Sequence, residues 1–168
     1  MPDTPNLPVS ADDAVVELLG LRLTATLGTA NGDGSLLLTP IWYLYENGRL
    51  YLPTGSKSHK VRNIRARPGV TVMVDQRQPT SHRWASASGT AEIVGGDDAV
   101  ALNARARARY LTDAGEAVYG QHLAVADDVT IVVTPTHWRS WLGGTPTRMA
   151  REHGVTEDDV AGWFTAWE

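Results

Sequence analysis

Cysteine is absent from the 168-residue chain, which excludes disulfides, zinc thiolate sites and thiol nucleophiles and leaves the redox compartment open. Lysine is almost absent: Lys57 and Lys60 stand alone among 15 basic residues, the rest arginine. No apolar run approaches the roughly 20 residues that a membrane helix needs. The opening MPDTPNLPVS lacks a basic-then-apolar signal, so a cytoplasmic protein without membrane association is expected. A net charge of -4, with no basic arm or tail, argues against a nucleic-acid partner. His59, His82, His122, His137 and His153 show neither i,i+4 pairing nor HExxH spacing, so no metal site is expected. Ser86 and Ser88 flank Ala87 without the glycine pattern of a nucleophile elbow, which argues against a serine hydrolase.

With 42% apolar and 20% charged residues the chain has the composition of one globular domain. We expect that domain over residues 1–144, with a helical tail, 145–168, packed on it. Ser10 and Asp13 have the spacing of a helix N-terminal cap, and a short helix to Gly20 would bury Ala14, Val15, Leu18 and Leu19. Alternation of apolar and polar residues from Leu21 to Ala30 predicts a half-buried strand. Asn31-Gly32-Asp33-Gly34 predicts a reversal into a second strand, Ser35 to Tyr45, and Glu46-Asn47-Gly48 another turn into Arg49 to Pro53. Val70 to Asp75 and Arg83 to Val94 read as strands. Asp97-Asp98 opens a helical stretch with Arg105, Arg107 and Arg109 spread over its surface. A broken helical segment to about Val125, a buried strand Val129 to Pro135, and a cap-like Thr156/Asp159 pair before a helix carrying Trp163, Phe164 and Trp167 complete the chain. About six antiparallel strands with helices that do not alternate with them exclude a doubly wound parallel sheet. The expectation is a mainly β fold with peripheral helices, a six-stranded antiparallel barrel closed or nearly so.

Both lysines lie in one segment, Thr54 to Pro68, T-G-S-K-S-H-K-V-R-N-I-R-A-R-P. A Gly-containing polar loop leads through Ser58 into a short helix that Pro68 must end. Free N–H groups at such a helix start attract anions, and Lys60 in the first turn adds a point charge. The segment reads either as a phosphate cradle or as a solvated basic connector between strands. Asn63 shares a helical face with Lys60 and could reach a phosphate oxygen; Arg62 could add a contact, and Val61 and Ile64 belong to the core.

In this frame the chain resembles the flavin-binding split β-barrel family of pyridoxamine 5'-phosphate oxidase and its relatives, over roughly Leu21 to Trp141. The most specific part is S-H-K-V-R-N-I-R-A-R-P, Ser58 to Pro68, which is similar to the family segment that grips the cofactor phosphate. The resemblance implies that Lys60 is the phosphate lysine, with Ser58 and His59 beside it and Thr54 on the preceding strand end. Thr39-Pro40-Ile41-Trp42-Tyr43 is similar to the strand whose backbone lies along the isoalloxazine ring. Trp84 to Ser88 falls where relatives contact the ring edge, and H-W-R-S-W, which includes Trp138 and Trp141, resembles a segment that reaches the partner subunit's site. A homodimer with cofactor sites at its interface is therefore implied, and the four tryptophans Trp42, Trp84, Trp138 and Trp141 suit interfaces and flat rings as well as core filling.

The ending Trp138 to Gly143 lacks the Arg-x-His-type pair of the oxidase proper, so vitamin B6 oxidation is not expected. The form K-x-R-N-I-R-x-R-P, Lys60 to Pro68, is similar to the branch that uses the deazaflavin coenzyme F-420, alongside FMN-binding members. Because such cofactors carry the hydride, the protein's task is to bind and orient, which accounts for the lack of an evident acid-base pair. The sequence thus suggests an F-420- or FMN-dependent oxidoreductase acting on a small molecule, a reductase more than an oxidase. The alternative is a non-catalytic flavin, F-420 or haem carrier.

Overall fold

A computed structural model describes residues 8–77, 82–120, 127–143, 150, 152–156, 159–160 and 162. The expected helix with Trp163, Phe164 and Trp167, and the segment from Gln121 to Val125, lie outside them. Seven strands form one antiparallel sheet: β1 (Ala25–Ala30), β2 (Leu36–Ile41), β3 (Leu44–Glu46), β4 (Arg49–Gly55), β5 (Gly69–Gln76), β6 (Arg83–Val94) and β7 (Asp128–Trp141). Their order is β2-β1-β5-β6-β7-β4-β3. β2 and β3 therefore occupy opposite edges, although only Trp42 and Tyr43 separate them in sequence. A flat sheet cannot satisfy that connection, so the sheet curls until its edges meet at a split.

This corrects the expected strand count from six to seven. The run Ser35 to Tyr45 reads as one strand because no turn signal follows until Glu46-Asn47-Gly48, but β2 pairs with β1 through Ile41 whereas β3 pairs with β4 from Leu44. The chain must leave one edge and join the other at Trp42-Tyr43. Pro40 sits on the edge strand β2, and Pro53 lies beyond the stretch of β4 that β3 covers. Such free edges tolerate proline, since no N–H is needed there.

Inward residues alternate along the strands, and Leu27, Leu52, Val72, Val74, Ala87, Ile131 and Val133 form the core. Helix α1 (Asp13–Gly20) adds Val15, Leu18 and Leu19 to it, and α2 (His59–Ala66) adds Val61 and Ile64. The α1 cap is Asp12 rather than the expected Ser10/Asp13 pair: the Asp12 carboxylate accepts the Val15 N–H at 2.8 Å. β1 starts at Ala25, four residues later than Leu21, and β7 runs on to Trp141, so H-W-R-S-W is strand. β6 contains a bulge at Ser88/Gly89, where a side chain at Gly89 would meet the Thr134 carbonyl oxygen at 2.1 Å. Only glycine fits there.

Helix α3 (Gly96–Ala108) packs on β4 and β7. Its buried face is Ala99, Asn103, Ala106 and Arg107, small or polar residues at helical spacing. Asn103 accepts the Thr130 hydroxyl at 2.7 Å. A single turn, α4 (Asp113–Gly115), then widens into a π-helical segment, Glu116–Gly120. Of the tail, Ala150 and Val160 are buried, and Thr156 and Asp159 form a reciprocal cap. Among the described residues no helix is long and apolar enough to cross a membrane.

Candidate functional site

At the split, a cavity of about 380 Å³ opens between the end of β2, the end of β4, the start of α2 and the region after α3. That volume lies in the range of about 300–1,000 Å³ found for small-molecule sites. Pro40, Ile41 and Trp42 line one wall, Pro53, Thr54, Gly55 and Lys60 another.

The polar end follows from α2. Its capping position is Ser58, whose hydroxyl makes no cap bond and instead accepts from Thr54 Oγ1 at 3.5 Å. Lys60 Nζ reaches the same Thr54 oxygen at 3.4 Å, a long contact for an ammonium group. Burial pushes the Lys60 pKa below its usual range, and among the described residues no carboxylate forms an ion pair with it. The loop ahead of the helix is tied to β7: Ser56 donates its hydroxyl to Asp127 at 2.7 Å and its N–H to the Asp127 carbonyl at 2.9 Å. Asp128 lines the cavity as well, with its carboxyl pushed up chiefly by burial against the pull of Arg107.

The aromatic end follows from the strand break. Trp42 stacks on Tyr110, with ring centroids 4.9 Å apart and planes 6° from parallel. Tyr119 of the π-helical segment meets Trp42 edge-on at 6.4 Å and lines the cavity. Arg107 lines it too: its side chain is only 9% exposed, and Nε donates to both Glu116 oxygens, at 3.1 and 3.4 Å.

Of the residues singled out by sequence, the cavity brings together Pro40, Ile41, Trp42, Thr54 and Lys60. Ser58 stands behind Thr54, and His59 and Arg62 lie exposed along α2. Asn63 does not sit beside Lys60 in the cavity. It is buried, and its amide donates to Thr29 Oγ1 at 3.1 Å and Asn31 Oδ1 at 2.8 Å, fastening α2 to β1. Thr39 turns inward, and its hydroxyl is buried without a partner among the described residues. Trp84 and Trp141 face each other across β6 and β7, away from the cavity wall, with His82 edge-on to Trp141 at 5.4 Å. Trp138 fills core space against Tyr45 and donates its indole N–H to the Val9 carbonyl.

The sequence reading missed Arg107, Tyr110, Tyr119 and Asp128. It placed Arg105, Arg107 and Arg109 on a solvated surface, which holds for Arg105, paired with Glu46, but not for the other two. Arg109 turns inward and donates to the carbonyls of Leu19 and Leu21. An arginine every second residue carries no helical periodicity, so the pattern itself held no signal for which one is buried.

The sequence profile of the pyridoxamine 5'-phosphate oxidase family matches residues 11–142. The chain belongs to that family. Among solved structures, one titled F420 reductase is 30% identical, with a TM-score of 0.59 over 73% of this chain and 94% of that one. A conserved hypothetical protein from Mycobacterium tuberculosis is 23% identical, with a TM-score of 0.67 over 100% of this chain and 98% of its own. The haem storage protein HutZ from Vibrio cholerae shares the fold at 17% identity, with a TM-score of 0.62 over 81% of this chain and 96% of its own. No curated protein matches the sequence. These likenesses agree with the split-barrel architecture seen in the sheet.

Proposed function

We propose that this family member is a cofactor-dependent oxidoreductase that binds F-420 or FMN in the split cavity and reduces a small substrate laid against the cofactor ring. The observation that carries the reading is Lys60: a half-buried cation whose one hydrogen bond among the described residues is a long contact to Thr54, in a cavity whose other end is walled by Trp42. A phosphate fits such a site, because charge-assisted bonds to an ammonium are strongest where the cation is partly desolvated and unpaired. Lys60, the Thr54 hydroxyl and the α2 start would hold the phosphate, with Arg107 a second cation for further negative charge. The β2 end from Pro40 to Trp42 would lie along the ring. When bound, the ring system supplies hydride transfer; the chain's own groups anchor the ligand's charged end and fix the plane of its flat end.

Likeness to the protein titled F420 reductase supports the deazaflavin over FMN. A homodimer is supported by β2, where Leu36 and Leu38 are 71% and 64% exposed. They share the outer edge with Pro40, so a second copy covering them would also help wall the cavity. Trp84 and Trp141 are outward-facing groups that a partner copy could bring to it.

The test is a fluorescence titration of the purified protein with F-420 and FMN in parallel, in wild type and Lys60→Ala. Preference for the deazaflavin, lost in the variant, supports an F-420-dependent reductase. Preference for FMN moves the reading to a flavin enzyme. Binding of neither overturns it.

A further inference from the structure

The backbone beside the cavity is pinned by one side chain from far along the sequence. Tyr110, two residues beyond α3, accepts the Tyr43 backbone N–H on its hydroxyl oxygen at 3.2 Å. The same hydroxyl donates to the Leu23 carbonyl at 2.8 Å, with the Tyr43 carbonyl also at 3.2 Å. Tyr43 follows the cavity residue Trp42, and Leu23 precedes the cavity residue Thr24. In the β1–β2 register Ala25 faces Ile41, so Leu23 and Tyr43 are opposed two positions beyond the end of that ladder; one phenol bridges the two chains there, beside the cavity residues Thr24 and Trp42.

The ring of Tyr110 fixes a second degree of freedom. Its near-parallel stack on Trp42 occupies one face of the indole and sets the plane of the other. The guanidinium of Arg109 lies 5.9 Å from the Tyr110 ring and 4.9 Å from the Tyr43 ring, and its bonds to the end of α1 hold the group in place.

We propose that Tyr110 is the positioning residue of the ring site: its hydroxyl sets the spacing of the Leu23 and Tyr43 backbones beside the cavity and its ring sets the tilt of Trp42. This rests on the cofactor reading above and adds to it which residue orients the flat end of the ligand. Lys60 at the other end is held by Thr54 and α2 and makes no contact with Tyr110 among the described residues. Ring affinity and phosphate affinity are therefore separable. Burial pushes the Tyr110 pKa above its usual value, so the hydroxyl remains a donor throughout the neutral range.

Two variants separate the roles. Tyr110→Phe keeps the stack and loses the bridge, whereas Tyr110→Leu loses both. Affinity for riboflavin, which has the ring without the phosphate, for FMN and F-420, and for inorganic phosphate by competition is measured on the full chain beside thermal unfolding. Tyr110→Phe is expected to weaken ring binding about tenfold, the equivalent of one hydrogen bond and its unpaired partner. Tyr110→Leu weakens it further, and phosphate affinity stays within about twofold in both. Should Tyr110→Leu fail to fold, Tyr110→Phe carries the test alone. Ring affinity unchanged in Tyr110→Phe, or ring and phosphate affinity lost in equal proportion, overturns the positioning role. A wild-type protein that binds neither cofactor overturns the cofactor reading itself, a distinct result.

Discussion

The two ends of the cavity are built in opposite ways. At the aromatic end, Arg109, Tyr43 and Tyr110 bond one another and the carbonyls of Leu19, Leu21 and Leu23, and of this network Arg109 Nε alone is buried without a partner among the described residues. At the polar end Lys60 is desolvated and holds one long contact. The first arrangement stabilises the folded chain and fixes a shape; the second leaves a cation electrostatically incomplete, as the proposed anion site requires. An anion site that already satisfied its own cation would have to break those bonds before binding.

The largest effect should come from the network. Arg109→Met removes charged hydrogen bonds to two carbonyls and leaves them facing a buried aromatic pair, and the expected loss is about 3 kcal/mol. Urea unfolding measures it. A loss below about 1 kcal/mol would mean that the aromatic end is no better fastened than the polar one, and the contrast would fail.

Lys60→Met should do the reverse, keeping the stem and deleting the charge. Phosphate binding loses about 2 kcal/mol, the range for a charged hydrogen bond, while the ligand-free protein unfolds at the same temperature or higher. The sign follows from linkage. The folded Lys60 pKa lies below its ordinary value of 10.5, so between the two values the unfolded chain holds more protons and stability rises with pH. That rise on the alkaline side should vanish in Lys60→Met. Wild type and variant with the same alkaline profile would show that Lys60 is not strained in the free protein.

Asn63→Leu tests the underside of the same helix. It strands the buried Thr29 hydroxyl, for an expected loss of about 1.5 kcal/mol, with phosphate affinity unchanged. A fall in phosphate affinity larger than the fall in stability would return Asn63 to the cavity side of α2.

The same contrast explains what was legible in the sequence. The helix from His59 to Ala66 declares itself locally: Pro68 stops it, Val61 and Ile64 mark its buried face, and the two lysines advertise its charge. β6 likewise has the bounds that its small-residue pattern implies. The break at Trp42-Tyr43 is not local. T-P-I-W-Y-L-Y holds no glycine or Asx turn signal at Trp42-Tyr43, and what decides the break is that β1 and β4 lie at distant places in the sheet and that Tyr110 arrives 67 residues later. Arg107 and Arg109 are equally long-range cases. Each is buried because an acceptor waits for it, Glu116 for one and the end of α1 for the other, and Arg105, without such an acceptor inside, stays out. Asn63 shows the limit of helical-face arguments: three residues from Lys60, it serves the sheet below.

The smallest effect concerns Asp128, the carboxylate that lines an otherwise cationic cavity. Burial raises its pKa more than Arg107 lowers it, and Asp127 adds to the rise. The folded state therefore holds this proton in a window above the ordinary aspartate value of 3.8, and stability falls as pH rises through that window. Asp128→Asn removes the slope, so the variant should match wild type in acid and exceed it slightly at neutral pH. The same substitution deletes a negative charge beside the proposed phosphate position. Inorganic phosphate should then bind about two- to fivefold more tightly, the scale of a partly exposed charge interaction. Asp128 thereby reads the polar end in the opposite sense to Lys60: one variant weakens anion binding and the other strengthens it. If Asp128→Asn instead weakens phosphate binding, the carboxylate is orienting Arg107 toward the ligand rather than opposing it. The polar end would then be pre-organised like the aromatic one, and the distinction between them would narrow to Lys60 alone.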